Sequence, residues 1–222
     1  MLWGKAESNL VTSSIKEENS NIEDLSGNYK SEEGFNITSS EIMFTIGGDI
    51  ELTVGKFKQF DINLQMNNKL SKSKITVVID ANSIFSDNKK RDDHLSGDDF
   101  FNTENYPKIT FKSESIKSSD ISEECYNYIS NGTLYMLGFE KKLDIKFNYK
   151  GSGKNLNNQD IAVFEGSLSF DRTEYGMSET ESVGNKVKIN FYTELIKQEG
   201  ELINEDSEES LEKDEEEDDF DF

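Results

Sequence analysis

From residue 40 onward, large apolar residues fall on every second position. In LDIKFNY, Leu143, Ile145, Phe147 and Tyr149 share one face, while Asp144, Lys146 and Asn148 share the other. KVKINFYTEL repeats this with Val187, Ile189 and Phe191, FEGSLSF with Phe164, Leu168 and Phe170, and QFDINLQM with Phe60, Ile62, Leu64 and Met66. KITVVID sets Ile75, Val77 and Ile79 on one face, and KITFKSESI does so with Ile109 and Phe111. NGTLYML contributes Leu134 and Met136, blurred by Tyr135 and Leu137, and SEIMFTI contributes Ile42, Phe44 and Ile46. Alternation with period two marks strands with one apolar and one wet face, so about eight strands are predicted.

Antiparallel sheets produce this pattern, whereas buried parallel strands read as unbroken apolar runs. No long amphipathic helix separates the strands, which argues against βαβ architecture. Connections such as MNNKLSKSK, YKGSGKNLNNQD and SETESVGNK are rich in turn formers. The exception is 81–108, long enough for a helical turn or two and of a length typical of a lid, plug or functional loop. Eight antiparallel strands can close into a barrel or split into a sandwich. Closure removes exposed edges and leaves room for packed side chains or one small ligand.

Composition divides the 222-residue chain into unlike parts. Residues 1–35 are rich in Ser, Asn and Glu and are expected to be polar and poorly ordered. Residues 36–198 carry the apolar alternation and form a single domain of ordinary size. Residues 199–222, EGELINEDSEESLEKDEEEDDFDF, are mostly acidic and cannot bury a core. They read as a disordered, solvated tail, with docking to a basic partner as the sharper alternative. The net charge of -21 excludes the basic footprint that nucleic acid requires and argues against adsorption to anionic membranes. No apolar run is long enough to span a bilayer, and the first twenty residues lack a secretory pattern, so a cytoplasmic location is expected. Cys125 and His94 each stand alone, which makes a zinc site improbable.

The insert carries the densest chemistry: RDDHLSGDDFFNTENYPKITFKS, residues 91–113, holds His94 and Pro107, the chain's only histidine and only proline. It can cover one end of a closed sheet. Phe100 and Phe101 can drop into the interior, with Arg91 pairing to Asp92, Asp93, Asp98 and Asp99 above them. Pro107 fixes the backbone before the next strand without removing a ladder donor. A general base needs an orienting carboxylate and a nucleophile or water to act on. Asp92 and Asp93 adjoin His94, but no second catalytic cluster appears, so His94 reads as a hydrogen-bonded cap residue. A role at a pocket mouth and a role in catalysis are the alternatives. No catalytic or metal-binding residues are assigned.

The run VVIDANSIFSDNKKRDDHLSGDDFFNTENYPKITFKS resembles the central signature of the YceI-like family, lipocalin-like barrels that bind polyisoprenoids. The match runs through Ile79–Asp80, Ser83–Ile84, Arg91–Asp92, His94–Leu95, Phe100–Phe101, Tyr106–Pro107, Phe111 and Ser113. VGKFKQF resembles the family's Gly-x-Phe-x-x-Phe strand at Gly55, Phe57 and Phe60. FEGSLSFDRTEYGM resembles its penultimate-strand motif around Arg172, Tyr175 and Gly176. The resemblance covers roughly 36–197. It implies an all-β fold: an extended eight-stranded antiparallel β-barrel, lipocalin-like, with a short helical insert between strands. It also implies an apolar tube holding an isoprenoid tail, a non-enzymatic role, and, for the family, a periplasmic home. Two positions depart from the pattern. SSEIMFTIGG lacks a first-strand histidine, and GTLYMLGFEKK has Leu137–Gly138 where the family often has His-Gly.

The combined expectation is a carrier or store for an apolar lipid, with no cofactor beyond a bound isoprenoid. Its ligand-binding residues are Phe60, Ile62, Leu64, Val77, Ile79, Phe100, Phe101, Phe111, Leu134, Met136, Ile145 and Phe147. The alternative is a ligand-free barrel acting as a protein-interaction module through its acidic tail. Whether the barrel forms a homodimer is left open.

Overall fold

The computed structural model describes residues 14–15, 21–33, 39–48, 52–119, 126–179 and 183–200. The acidic stretch beyond residue 200 and most of residues 1–20 lie outside the described residues, and so does Cys125. The strands are β1 (Ser14–Ile15), β2 (Gly27–Lys30), β3 (Ser40–Gly48), β4 (Leu52–Phe57), β5 (Phe60–Met66), β6 (Lys74–Asp80), β7 (Ile84–Phe85), β8 (Lys108–Ser118), β9 (Tyr128–Met136), β10 (Phe139–Lys154), β11 (Asp160–Asp171) and β12 (Val183–Lys197). One helix, α1 (Lys89–Leu95), lies in the insert between β7 and β8.

Every pairing is antiparallel. Following the pairs from β10 through β9, β8, β6, β5, β2, β12 and β11 returns to β10, a closed ring of eight strands. The choice between barrel and sandwich therefore falls to the barrel. The remaining strands lengthen its wall. β12 is long enough to pair with β2 at Ile196↔Lys30 and with β3 from Thr193↔Ser40 to Val183↔Gly48. β4 continues β5 across Lys58–Gln59 and pairs with β3, and β7 pairs with β4. The wall thus has eight positions, three of them built from two strands in tandem, and the short β1 adds a pairing to the end of β10 at Ser14↔Lys154.

The N-terminal boundary lies earlier than position 36. Gly27–Lys30 closes the ring between β5 and β12, inside the stretch expected to be poorly ordered. Ahead of it, Asn21 caps a 3-10 turn at Ile22–Asp24 by accepting from the Glu23 amide at 3.2 Å, and Ile22, Leu25 and Tyr29 are buried. Only a few apolar residues do this, and they are too sparse to show a period.

Local sequence explains the tight connections. β9 and β10 join through Leu137 and Gly138 alone, at φ 55° and 79°, the left-handed pair that a two-residue hairpin loop requires. Bulges at Glu114 in β8 and Lys150 in β10 interrupt the register and let these long strands curl. Helix α1 starts where Asn88 accepts from the Arg91 amide at 3.2 Å. No helix among the described residues is long and apolar enough to cross a membrane.

Candidate ligand cavity

In the alternating strands, the inward residues surround a cavity of about 320 Å³. Its size falls at the lower end of small-molecule sites. Ile62 and Leu64 reach it from β5, Val77 and Ile79 from β6, and Phe111 from β8. Leu134 and Met136 reach it from β9, and Ile145 and Phe147 from β10. Phe100 and Phe101 line it from the insert. Phe60 does not line it. It is the first residue of β5, beside the Lys58–Gln59 interruption, and is buried within the core, paired across to Ile79.

The same alternation puts further residues on the wall. Ile42, Phe44 and Ile46 of β3, Phe164, Leu168 and Phe170 of β11, and Val187, Ile189, Phe191 and Leu195 of β12 all face inward. Their period-two phase is legible in the sequence. Ile22, from the N-terminal turn, also reaches the cavity, and no periodicity announces it.

So many rings would fill a barrel of this size if each pointed at its axis. Glycines at inward positions prevent this. Gly55, Gly132 and Gly166 occupy the inward phase of β4, β9 and β11, and a phenylalanine from the neighbouring strand lies over each: Phe44, Phe111 and Phe191 respectively. A β-carbon at Gly166 would come within 2.5 Å of the Phe191 ring. The rings lie against the wall and leave the middle open.

The insert covers one end. The Ala81 amide donates to the Pro107 carbonyl at 2.9 Å, tying together the two roots of the insert. Phe101 meets Phe57 edge-on at 5.7 Å. Phe100 is covered by two polar groups: the His94 ring stands edge-on at 5.1 Å and the Arg172 guanidinium lies 5.6 Å away. Arg172 is fully buried and donates to the carbonyls of Gly184 and Val183, each at 3.0 Å, and to that of Ser178. Ser178 in turn donates its amide to the Asp99 carbonyl at 2.8 Å and its hydroxyl to the Asp99 carboxylate at 2.9 Å. The loop after β11 and the insert are thereby fastened to each other.

The polar chemistry of the cap differs from direct pairing of Arg91 with carboxylates. Arg91 Nε donates to Ser86 Oγ at 2.8 Å, and Ser86 Oγ donates to Asp92 Oδ1, so a serine stands between the two charges. Asp93 pairs with Lys89 on the surface of α1 at 3.0 Å. The His94 side chain is 65% exposed, lines the cavity at its mouth and sits 4.0 Å from Asp99. That is the mouth position, and at 4.0 Å from Asp99 the ring does not make the cap hydrogen bond expected of it there. Among the described residues, no three His, Cys, Asp or Glu side chains gather where they could hold a metal ion.

Three further polar residues line the cavity: half-buried Thr53 of β4, Thr193 and Ser130. Thr193 shares a hydrogen bond of 2.8 Å with Ser40. Ser130 is fully buried, and its hydroxyl has no hydrogen-bond partner among the described residues. Leaving a buried hydroxyl unpaired costs about 1–3 kcal/mol. The phase of Ser130 with Gly132, Leu134 and Met136 in YISNGTLYM would have located it.

The sequence matches the YceI-like domain family over residues 13–195. It is 33% identical over 147 residues to a UPF0312 protein of Staphylococcus epidermidis, covering 65% of this chain and 81% of that one. It is 31% identical over 147 residues to a UPF0312 protein of Shewanella denitrificans, covering 65% and 75%. Among solved structures it is similar to Burkholderia cenocepacia BcnA, with a TM-score of 0.62, 20% identity, and 74% and 100% of the two chains covered. It is also similar to a polyisoprenoid binding domain from Saccharophagus degradans, with a TM-score of 0.56, 12% identity, and 78% and 100% covered. At these identities the structural likeness speaks for the fold.

Proposed function

Since the chain belongs to the YceI-like domain family, we propose that it holds an apolar, isoprenoid-type lipid chain inside its barrel, as a carrier or store and without catalysing a reaction. The observation that carries this reading is the hollow itself: about 320 Å³, walled by aliphatic and aromatic side chains and kept open by glycines under the rings. The structural neighbour named for polyisoprenoid binding supports the ligand class. The polar groups at the capped end support binding over catalysis, because Arg91 is engaged with Ser86 and Arg172 with three carbonyls.

Desolvation supplies the affinity. Each methylene moved from water into the cavity gains roughly 0.8 kcal/mol, from which the lost freedom of the guest is subtracted. An apolar protein cavity of about 150 Å³ admits benzene, so this one holds on the order of a dozen carbons, two or three isoprene units. A longer chain would extend past His94 at the mouth.

Native mass spectrometry of the full chain as purified tests the reading. The expected spectrum contains a lipid-sized, non-covalent adduct that is lost on activation and recovered by solvent extraction. Bare protein that also takes up no isoprenoid alcohol when mixed with one would overturn it.

A further inference from the structure

Ser130 differs from Arg91, Arg172 and Thr193 at the cavity wall in lacking a partner, and from Thr53 and His94 in being fully buried. Arg91, Arg172 and Thr193 spend their hydrogen bonds on the protein, whereas the Ser130 hydroxyl, buried and facing the cavity, finds no partner among the described residues. Its cross-strand neighbours, Ile116 on β8 and Ile145 on β10, are apolar and also line the cavity. A buried water is held by two to four polar groups, and beside Ser130 the sheet offers isoleucine on both sides. A guest atom is the better partner.

We propose that Ser130 Oγ is a hydrogen-bonding subsite, and that the lipid bound here carries oxygen, as a hydroxyl or carbonyl, on the part of its chain buried in the barrel. This rests on the reading of the cavity as a lipid site. Ser130 lies six residues along β9 from Met136, the strand's end beneath the insert, or roughly 20 Å along an extended strand. A lipid whose only polar group stays at the mouth beside Arg91 and His94 cannot reach it. The subsite therefore favours an oxygen at the inner end of the chain over plain hydrocarbon, which gains nothing from the serine.

The test compares dodecane with 1-dodecanol on delipidated full-length protein, wild type and Ser130→Ala, with thermal unfolding of both proteins measured without ligand. The expected result is that Ser130→Ala weakens dodecanol binding about tenfold, the scale of one hydrogen bond to a buried group. Dodecane binding should be unchanged, and the unliganded variant should melt no lower than the wild type, because it loses an unpaired hydroxyl. Binding of both ligands with no change in preference in Ser130→Ala overturns the subsite and leaves the lipid reading standing. A lower melting point with equal losses for both ligands means that an ordered water or a protein group satisfies Ser130, and it also overturns the subsite. Failure of the wild type to bind either ligand overturns the lipid reading and the subsite together.

Discussion

A few side chains decide whether the insert is held over the barrel's end and whether the barrel is hollow. Arg172 does the first. Its planar fork of donors matches three carbonyls at once, those of Ser178, Val183 and Gly184. Replacing it with Met leaves those carbonyls without their donor, and the expected loss is at least about 3 kcal/mol in denaturant unfolding. Arg172→Lys should recover only a fraction, since an ammonium cannot present the same planar fork. Gly166 does the second. Gly166→Ala drives its β-carbon into both the Lys146 carbonyl of β10 and the Phe191 ring, so the strand pairing and the ring must both give, with a cost of about 3 kcal/mol in stability and a measurable drop in lipid uptake. Equal uptake by the variant would show that the ring relaxes elsewhere. Neither role was legible from composition. Arg172 was visible only as part of a family motif, and an inward glycine reads as a gap in the alternation until the ring that fills it is known.

At the scale of elements, the alternation carried most of what mattered. Where a strand buries one face, a shift of one residue would expose its whole apolar set, so pattern and register agree, as in Leu143 to Phe147 or Phe111. Elements that bury few residues escaped the pattern. β2 contributes one buried ring, Tyr29, and the preceding turn contributes Ile22 and Leu25, too few to show a period yet enough to complete the ring of strands. The insert was recognised by its length and its aromatics, but the Ser86 relay between Arg91 and Asp92 depends on a fold-back that no spacing reveals. One junction makes a pH prediction. Asp171 ends β11 and caps the turn that carries Arg172, accepting from the Thr173 hydroxyl at 2.6 Å and the Thr173 amide at 2.9 Å. These hydrogen bonds hold its carboxyl below the ordinary value of 3.8. A folded value below the unfolded one adds stability above the unfolded value, and that share is lost as the pH falls through the folded one. Urea midpoints of the wild type should therefore fall more steeply in acid below about pH 4 than those of Asp171→Asn. Parallel curves would show that the cap does not couple to folding.

For the whole molecule, closure has two consequences. It removes sheet edges around the eight-strand ring, and it forces every second side chain toward a common interior. The closed sheet was legible as a family resemblance, while residue patterns alone left barrel and sandwich equal. Whether the interior would be filled was not legible at all, because volume depends on where rings lie and not on how many there are. The central claim is that this interior is free space for an apolar guest. Calorimetric titration of the delipidated full-length chain with farnesol, alongside Ile145→Trp to occupy the cavity from β10, tests it most directly. One farnesol per wild-type chain is expected, with a negative heat-capacity change marking apolar burial, and none for the filled variant. Equal binding to both proteins, or no binding to the wild type, would contradict it.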